Sequence, residues 1–468
     1  MFKNLNIFRP LLAILILFIP LYPKFPLLTV PNTYVAIRLD DIIVGLAFLI
    51  WLIYQLKNRF PFFKRKITKL FLAYFIAIIA SFLTAFILYR TEATNILILN
   101  LFRRFEYISL FFITLPAINN KKDLNFTYIS LLITTTLVSL YGYGQKYLQF
   151  PVVSTMNEEF SKGQLLQMNI WTRISSTFAG HYDLAAYLSV ALIIIAGIAL
   201  ITKSKTLKII SLILFLPAFH ILTLTASRVS VFAFWGGITL TLLLLRKYLW
   251  IIPFSLLVVL SIFSSKDLNQ RLLATIPALK SQFQKQEEVI LKEESVTPTP
   301  ILEEETVTKT PQKIVTPVPT VVRHQLESEY PEVDSDAGVA RSGEIRFNVE
   351  WPRAINAYQK NIITGTGLGS ITLATDNDYL RALGESGLLG FLTFATILFF
   401  FIYKTWPHLF KKNKSFEEKI TIILFGALLT HLANAVFIDV FEASKTAYFF
   451  WIIMAIYYQL LTNYGKKN

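Results

Sequence analysis

Long apolar runs, separated by short polar connections, cover most of this chain. They occupy residues 11–30, 42–56, 70–88, 96–118, 126–148, 179–201, 207–224, 229–245, 249–263, 388–403, 420–440 and 447–461. A helix needs ~20 apolar residues to cross a bilayer, and no soluble core calls for so many such runs. The pattern predicts an all-α polytopic membrane protein with about twelve transmembrane helices. The first run is longer than a signal-peptide core and has no small-residue cleavage site, so it is expected to be a retained helix. The run 96–118 carries Arg103, Arg104 and Glu106 at membrane depth. Charges there pair with one another or face a cavity. A structural ion cluster is expected, with a lipid-cavity lining as the other reading.

One long hydrophilic stretch interrupts the pattern. It divides the chain into an N-terminal bundle (1–263), a long loop (264–378) and C-terminal helices (379–468). Its middle, 286–340, is rich in Thr, Pro, Val and Glu. Such a composition cannot bury a core and predicts a disordered insert acting as a spacer. Before the insert, Arg271-Leu272-Leu273-Ala274-Thr275-Ile276 begins an amphipathic stretch. After it, Phe347, Trp351, Ala354 and Tyr358 recur at helical spacing, which predicts a short amphipathic helix. Pro352 starts or kinks that helix. Thr364-Gly365-Thr366-Gly367-Leu368-Gly369-Ser370 is a glycine-rich turn that would open backbone N–H groups to a ligand. It lacks a preceding strand and a Walker lysine, which argues against an ATP site. The loop ends in Asp376-Asn377-Asp378, followed by Glu385-Ser386-Gly387, and runs directly into apolar residues. Acidic side chains at the mouth of a helix bundle point to a site at the membrane surface.

Composition agrees: 54% of the 468 residues are hydrophobic, and the mean hydropathy is +0.53. The net charge of +15 alters the picture only through its placement. Lys57, Arg59, Lys64, Arg65 and Lys66 form one cluster. Lys121 with Lys122, Lys203 with Lys205, Arg246 with Lys247, Lys411 with Lys412 and Lys414, and Lys466 with Lys467 form others. They fall in alternate connections, the bias of cytoplasmic loops. Both termini are therefore expected inside and the long loop outside a cell membrane that the chain crosses many times. Dispersed over short loops, these residues suit anionic lipid head groups and argue against nucleic acid. Cysteine is absent, which excludes disulfides and thiolate metal sites.

Several pieces then fall into one order. Arg173-Ile174-Ser175-Ser176-Thr177-Phe178-Ala179-Gly180-His181 leads into a helix, and Thr225-Ala226-Ser227-Arg228 opens another. Beyond the insert come Arg346, Trp351, the glycine-rich turn and the segment from Asp376-Asn377 to Gly390. Over residues 173–401, about half the chain, this arrangement resembles the O-antigen ligase and O-antigen polymerase family. The resemblance implies a membrane glycosyltransferase acting at the outer face. Its donor would be an undecaprenyl-diphosphate-linked glycan and its acceptor a glycan, lipid or protein, without metal or other cofactor. It also implies two functional arginines, which map to Arg228 and Arg346. The family pattern often has His followed by Asn where this chain has Asp376 followed by Asn377. That departure bears on the acceptor proton and tilts the reading slightly toward a polymerase.

The chemistry of such a transfer sets what each residue would do. Negative charge develops on the diphosphate leaving group, and guanidinium groups pair bidentately with phosphate oxygens. A base that removes the acceptor hydroxyl proton helps the attack. Asp376, Arg228 and Arg346 are the candidate catalytic residues; Arg173, His181, Asp378, Glu385 and Arg353 are candidate substrate contacts. Each has a plainer alternative. Arg228 could anchor at the interface, Arg346 could pair with Glu350 at i+4, Asp376 could only cap a helix, and Glu385 could pair with Arg381. Two rival functions also stand. Asp40-Asp41 after the first helix could hold a divalent metal in a polyprenyl-phosphate glycosyltransferase or oligosaccharyltransferase. A transporter would show internal repeats and interrupted helices at midplane.

The charge pattern generates a test of topology. Cysteines introduced at Thr308 and at Lys412 are expected to react oppositely with an impermeant thiol reagent on intact cells, Thr308→Cys labelling and Lys412→Cys not. Labelling of Lys412→Cys alone would invert the orientation and remove the outer-face site.

Overall fold

A computed structural model describes residues 7–29, 36–88, 94–153, 165–166, 173–265, 267–270, 272–273, 345–371 and 375–463. Each of the twelve apolar runs overlaps a helix, the first only in part: α1 Phe8–Leu21, α2 Leu39–Lys57, α3 Lys66–Leu88, α4 Thr94–Thr114, α5 Lys121–Leu148, α6 His181–Ile201, α7 Lys205–Leu224, α8 Arg228–Leu244, α9 Ile251–Ser264, α11 Asp378–Leu409, α12 Phe416–Asn434 and α13 Ser444–Asn463. The short helix α10, Trp351–Lys360, follows a π-turn at Arg346–Glu350 and has Pro352 in its first turn, where a missing N–H costs nothing. Among the described residues, six helices (α2, α3, α5, α6, α7 and α11) are long and apolar enough to cross a membrane. The chain is thus a mostly helical protein with the features of a membrane protein.

Two expectations change. The first run does not continue as helix to residue 30. Pro23 disfavours helical geometry at Tyr22, which is extended, and α1 stops at Leu21. The chain then forms a strand, β1 Pro26–Thr29, antiparallel to β2 Ala36–Arg38. A second ladder pairs β3 Val152–Val153 with β4 Leu165–Leu166, and these two short ladders accompany a mostly helical fold consistent with the all-α expectation. The C-terminal helices are also not a domain apart. Residues 1–268 and 346–468 form one compact unit, and Asn269–Ile345 a second. The insert 286–340 and Arg271 lie outside the described residues.

Within the main unit, α6 is central. Its residues 184–197 are apolar or small all round and are buried throughout, as a helix without a polar face must be. Helices α7, α8 and α12 pack on it, α12 also packs on α8, α11 on α3, and α13 on α4. Helices α8 and α12 cross where Gly237 faces Thr430 and Gly426 faces Thr241; any added Cβ would overlap those hydroxyls. Small residues permit such close approach. Asn434 then joins three helices: Ser230 Oγ donates to its Oδ1 at 2.6 Å, and its Nδ2 donates to Ser189 Oγ at 3.1 Å.

Helix α11 is broken at Gly387, whose φ of +62° and ψ of −169° leave the helical region. The glycine-rich turn fills the break. Leu388 N donates to Ile362 O at 2.8 Å and Leu389 N to Ile363 O at 3.0 Å. In return Thr366 N and Gly367 N donate to Gly384 O and Glu385 O, each at 2.9 Å. The N–H groups of Thr366 and Gly367, read from sequence as open to a ligand, are spent on α11.

Gly387→Ala should therefore destabilise the fold. The positive-φ, extended backbone there is essentially reserved for glycine and costs an alanine about 1–3 kcal/mol, and its Cβ would also overlap the Ile363 carbonyl. Gly236→Ala is the control, because a Cβ there meets nothing within 4 Å. Thermal unfolding in detergent should separate the two variants by several degrees; equal midpoints would show that the break bears no load.

Candidate functional site

Three chain segments far apart in sequence deliver arginines to one place. A tight turn with Ala226 in the left-handed region (φ +53°) sets Arg228 at the first position of α8. Gly180 ends the segment containing Arg173 and starts α6, so that His181 and Tyr182 occupy the first turn. Arg346 begins the π-turn ahead of α10. Opposite it, Asp376 has φ +49°, a conformation that Asp, Asn and His tolerate better than other side chains. The helix cap is its neighbour: Asn377 Oδ1 accepts from Tyr379 N and Leu380 N at 3.1 and 3.0 Å.

The Arg346 side chain reaches Asp376 rather than Glu350. Its Nε and one Nη converge on Asp376 Oδ2 at 2.8 and 2.7 Å. Oδ1 has no hydrogen bond among the described residues, and the Asp376 side chain is 27% exposed. Arg346 also lies over the Tyr182 ring, 5.7 Å from its centroid, and Tyr182 hydrogen-bonds both Arg346 and Arg173. Arg173 Nη1 donates to His181 Nε2 at 2.6 Å. A guanidinium only donates, so this imidazole nitrogen is an acceptor, and His181 acts on Arg173. Arg228 is half-buried within electrostatic reach of Tyr182, Arg346 and Arg173. Burial raises the Asp376 carboxyl above the ordinary range, while Arg346 pulls it down. Glu350 is pushed up to about 7 by burial and then by Asp376, with Arg346 opposing. Its Oε2 is buried without a hydrogen bond.

Two other expected contacts, Asp378 and Glu385, belong to an adjoining buried network. Asp378 Oδ2 accepts from Phe441 N at 3.0 Å and the residue is 5% exposed. Glu385 lies 3.5 Å from Arg381 and 3.9 Å from Arg104. Arg381 also pairs with Asp439 at 3.2 Å, and Arg104 with Glu442. Both carboxylates thus tie α11 to α4 and to the α12–α13 connection, which fits scaffolding better than substrate contact. Arg104 joins the structural ion cluster expected of it; Arg103 instead lines a cavity. Arg353 is exposed on α10, in an open cleft of about 710 Å³ with Thr366 and Ser370. Asp41 Oδ2 accepts from Arg38 N at 2.8 Å, capping α2. Among the described residues, no group of three His, Cys, Asp or Glu side chains could hold a metal ion.

The structure therefore gathers Arg173, His181, Arg228, Arg346 and Asp376, and draws in Tyr182 and Glu350, which the sequence reading did not single out as site residues. Tyr182 had a signal, its place between His181 and the helix. Glu350 had only its spacing from Arg346, which read as an ion pair. No protein-family model matches the chain, and no curated protein matches it significantly.

The division between cluster and network can be tested by stability. Arg381→Met leaves Asp439 and Glu385 short of their buried partner, a loss that costs about 3–5 kcal/mol. A large fall in the detergent melting temperature is expected, against little change for Arg228→Lys. Wild-type stability of Arg381→Met would contradict the scaffolding role.

Proposed function

We propose that this protein is a membrane glycosyltransferase of the O-antigen ligase or polymerase type. It would move a glycan from an undecaprenyl-diphosphate donor to an acceptor hydroxyl at the outer face of the cytoplasmic membrane, with both termini in the cytoplasm and about twelve spans. The acceptor class is a glycan, lipid or protein. One observation carries the reading: Arg173, Arg228 and Arg346 converge around Tyr182, with Asp376 held by Arg346.

Among the described residues these guanidinium groups gather beside Asp376 and Glu350, and guanidinium groups pair with phosphate oxygens. Fixed cations stabilise the diphosphate as the glycosidic bond breaks and charge builds on it. The leaving group needs no proton. The acceptor hydroxyl loses one as it attacks, and Asp376 Oδ1, the carboxylate oxygen that Arg346 does not hold, would take it. Arg346 serves both partners in turn. It holds Asp376 Oδ2. An arriving diphosphate competes for the same fork, which releases the carboxylate as a stronger base. Base and donor are thereby coupled.

The rival readings have less support. Asp41 is engaged as a helix cap. The interruption of α11, a feature transporters share, is sealed by the turn that fills it, which leaves its backbone groups no ion to coordinate.

The test is conjugate or polymer formation from a lipid-diphosphate donor, with protein level followed in parallel. Arg228→Lys and Arg346→Ala should lose most activity, since an ammonium or methyl cannot reproduce the fork. Asp376→Asn should cost on the order of 10²-fold. Asp376→His should retain activity, because the backbone suits His and imidazole is a base. The base works deprotonated, so rate is lost as pH falls through its pKa. The acid limb should sit above that of an ordinary aspartate, as burial raises Asp376, and move toward ~6.5 in Asp376→His. Activity should survive EDTA. Wild-type rates for Arg228→Lys and Asp376→Asn together would overturn the mechanism.

A further inference from the structure

A cavity of about 620 Å³ lies between α2 and α4 and shares no lining residue with the arginine cluster. Its walls are mostly apolar and aromatic. On α2 they run from Asp41 to Leu52, about 16 Å along the axis at 1.5 Å per residue. That is about half of a ~30 Å hydrocarbon core, the depth of one leaflet. Arg103, Asp41 and Glu106 gather toward the end where α2 begins. Tyr448 hydroxyl donates to Glu106 Oε1 and reaches Asp41 Oδ1 at 3.5 Å, so both carboxylates are fixed from the protein side. Arg103 is half-buried. Asp41, Glu106 and the hydroxyls of Tyr107 and Tyr448 lie within its electrostatic reach, yet no hydrogen bond or ion pair engages it among the described residues.

One half-buried cation flanked by two carboxylates, above an apolar groove one leaflet deep, describes an amphiphile. The head must bring a negative group to Arg103 and a positive group to Asp41 and Glu106. A wholly anionic head, the phosphates of a polyprenyl carrier included, would set its charge against both carboxylates. A long isoprenoid chain would also overrun a groove of this depth. We propose that this groove binds an aminophospholipid of phosphatidylethanolamine type. Its phosphate meets Arg103, its ammonium meets Asp41 and Glu106, and one acyl chain lies along α2 toward Phe62 and Phe112. This inference does not rest on the catalytic reading.

Titration of the delipidated full-length protein by native mass spectrometry decides it. The probes are phosphatidylethanolamine, phosphatidylglycerol with the same acyl chains, and undecaprenyl phosphate. Phosphatidylethanolamine should bind about tenfold tighter than either, the ratio that ~1.4 kcal/mol of head-group discrimination gives. Gly45 lines the groove, and a Cβ there meets nothing within 4 Å. Gly45→Leu should therefore abolish binding while the melting temperature in lipid-free detergent stays that of the wild type. Glu106→Gln keeps the oxygen that Tyr448 holds and should erase the preference over phosphatidylglycerol. Equal or tighter binding of phosphatidylglycerol or undecaprenyl phosphate, or undiminished binding by Gly45→Leu, would overturn the assignment.

Discussion

A backbone break inside an apolar helix must be repaired by protein, because lipid offers no hydrogen bonds. Much of the geometry near Asp376 follows from the repair at Gly387. The break leaves the amides of Leu388 and Leu389 and the carbonyls of Gly384 and Glu385 without helical partners. The segment 362–367 supplies all four. Gly365 makes this possible, since a Cβ there would overlap the Glu385 carbonyl region at 2.5 Å. Locking this segment also locks what precedes it. Helix α10 packs along α11, and the π-turn at its head carries Arg346. The distance between Arg346 and Asp376 is thus set by rigid helix rather than by the long loop from which Arg346 emerges.

The second constraint is charge. Two groups of ionised side chains lie side by side and are satisfied differently. Around Arg381 the carboxylates of Glu385 and Asp439 have protein partners. Around Tyr182, Arg346 holds Asp376 while Arg173 and Arg228 lie within electrostatic reach of the same ring. Asp439 links the two: its Oδ2 accepts from Thr375 N at 2.9 Å, one residue before Asp376, as well as from Arg381. The network therefore positions the peptide that carries Asp376 and, through Asn434, the cluster's helices α6 and α8 share a second tie. A buried pair of this sort adds little net stability. Its value here is placement.

These two constraints explain what the sequence could and could not reveal. Helix positions were legible, because apolar runs and the spacing of Phe347, Trp351, Ala354 and Tyr358 are local facts. The end of α1 was legible in principle too, in Pro23, but a window average hid it. The direction of a side chain from a polar helix was not. Asp376 and Asp378 are two residues apart and equally acidic, yet one faces the arginines and the other the Phe441 amide. Only the backbone turn at Asp376 and the packing of the α12–α13 connection decide between them. The glycine-rich turn misled for the same reason: its open N–H groups are a local property, and their use by α11 is a tertiary one.

Arg103 and Arg104 carry the argument furthest, being adjacent on one helix and opposite in use. Successive helical residues point about 100° apart, so one arginine of the pair must turn away from whatever the other serves. Arg104 turns inward to Glu442 and Glu385 and is neutralised there. Arg103 turns to the groove, within electrostatic reach of Asp41 and Glu106. The two phosphate environments then differ by their counterions. At Tyr182 three guanidiniums gather with Asp376 held by one of them, the arrangement on which the proposed diphosphate site rests. At Arg103 two carboxylates flank one guanidinium, which suits a phosphate that brings its own ammonium. On the two proposed readings, a carrier lipid and a bulk lipid are told apart by that difference in counterions as well as by the depth of the groove.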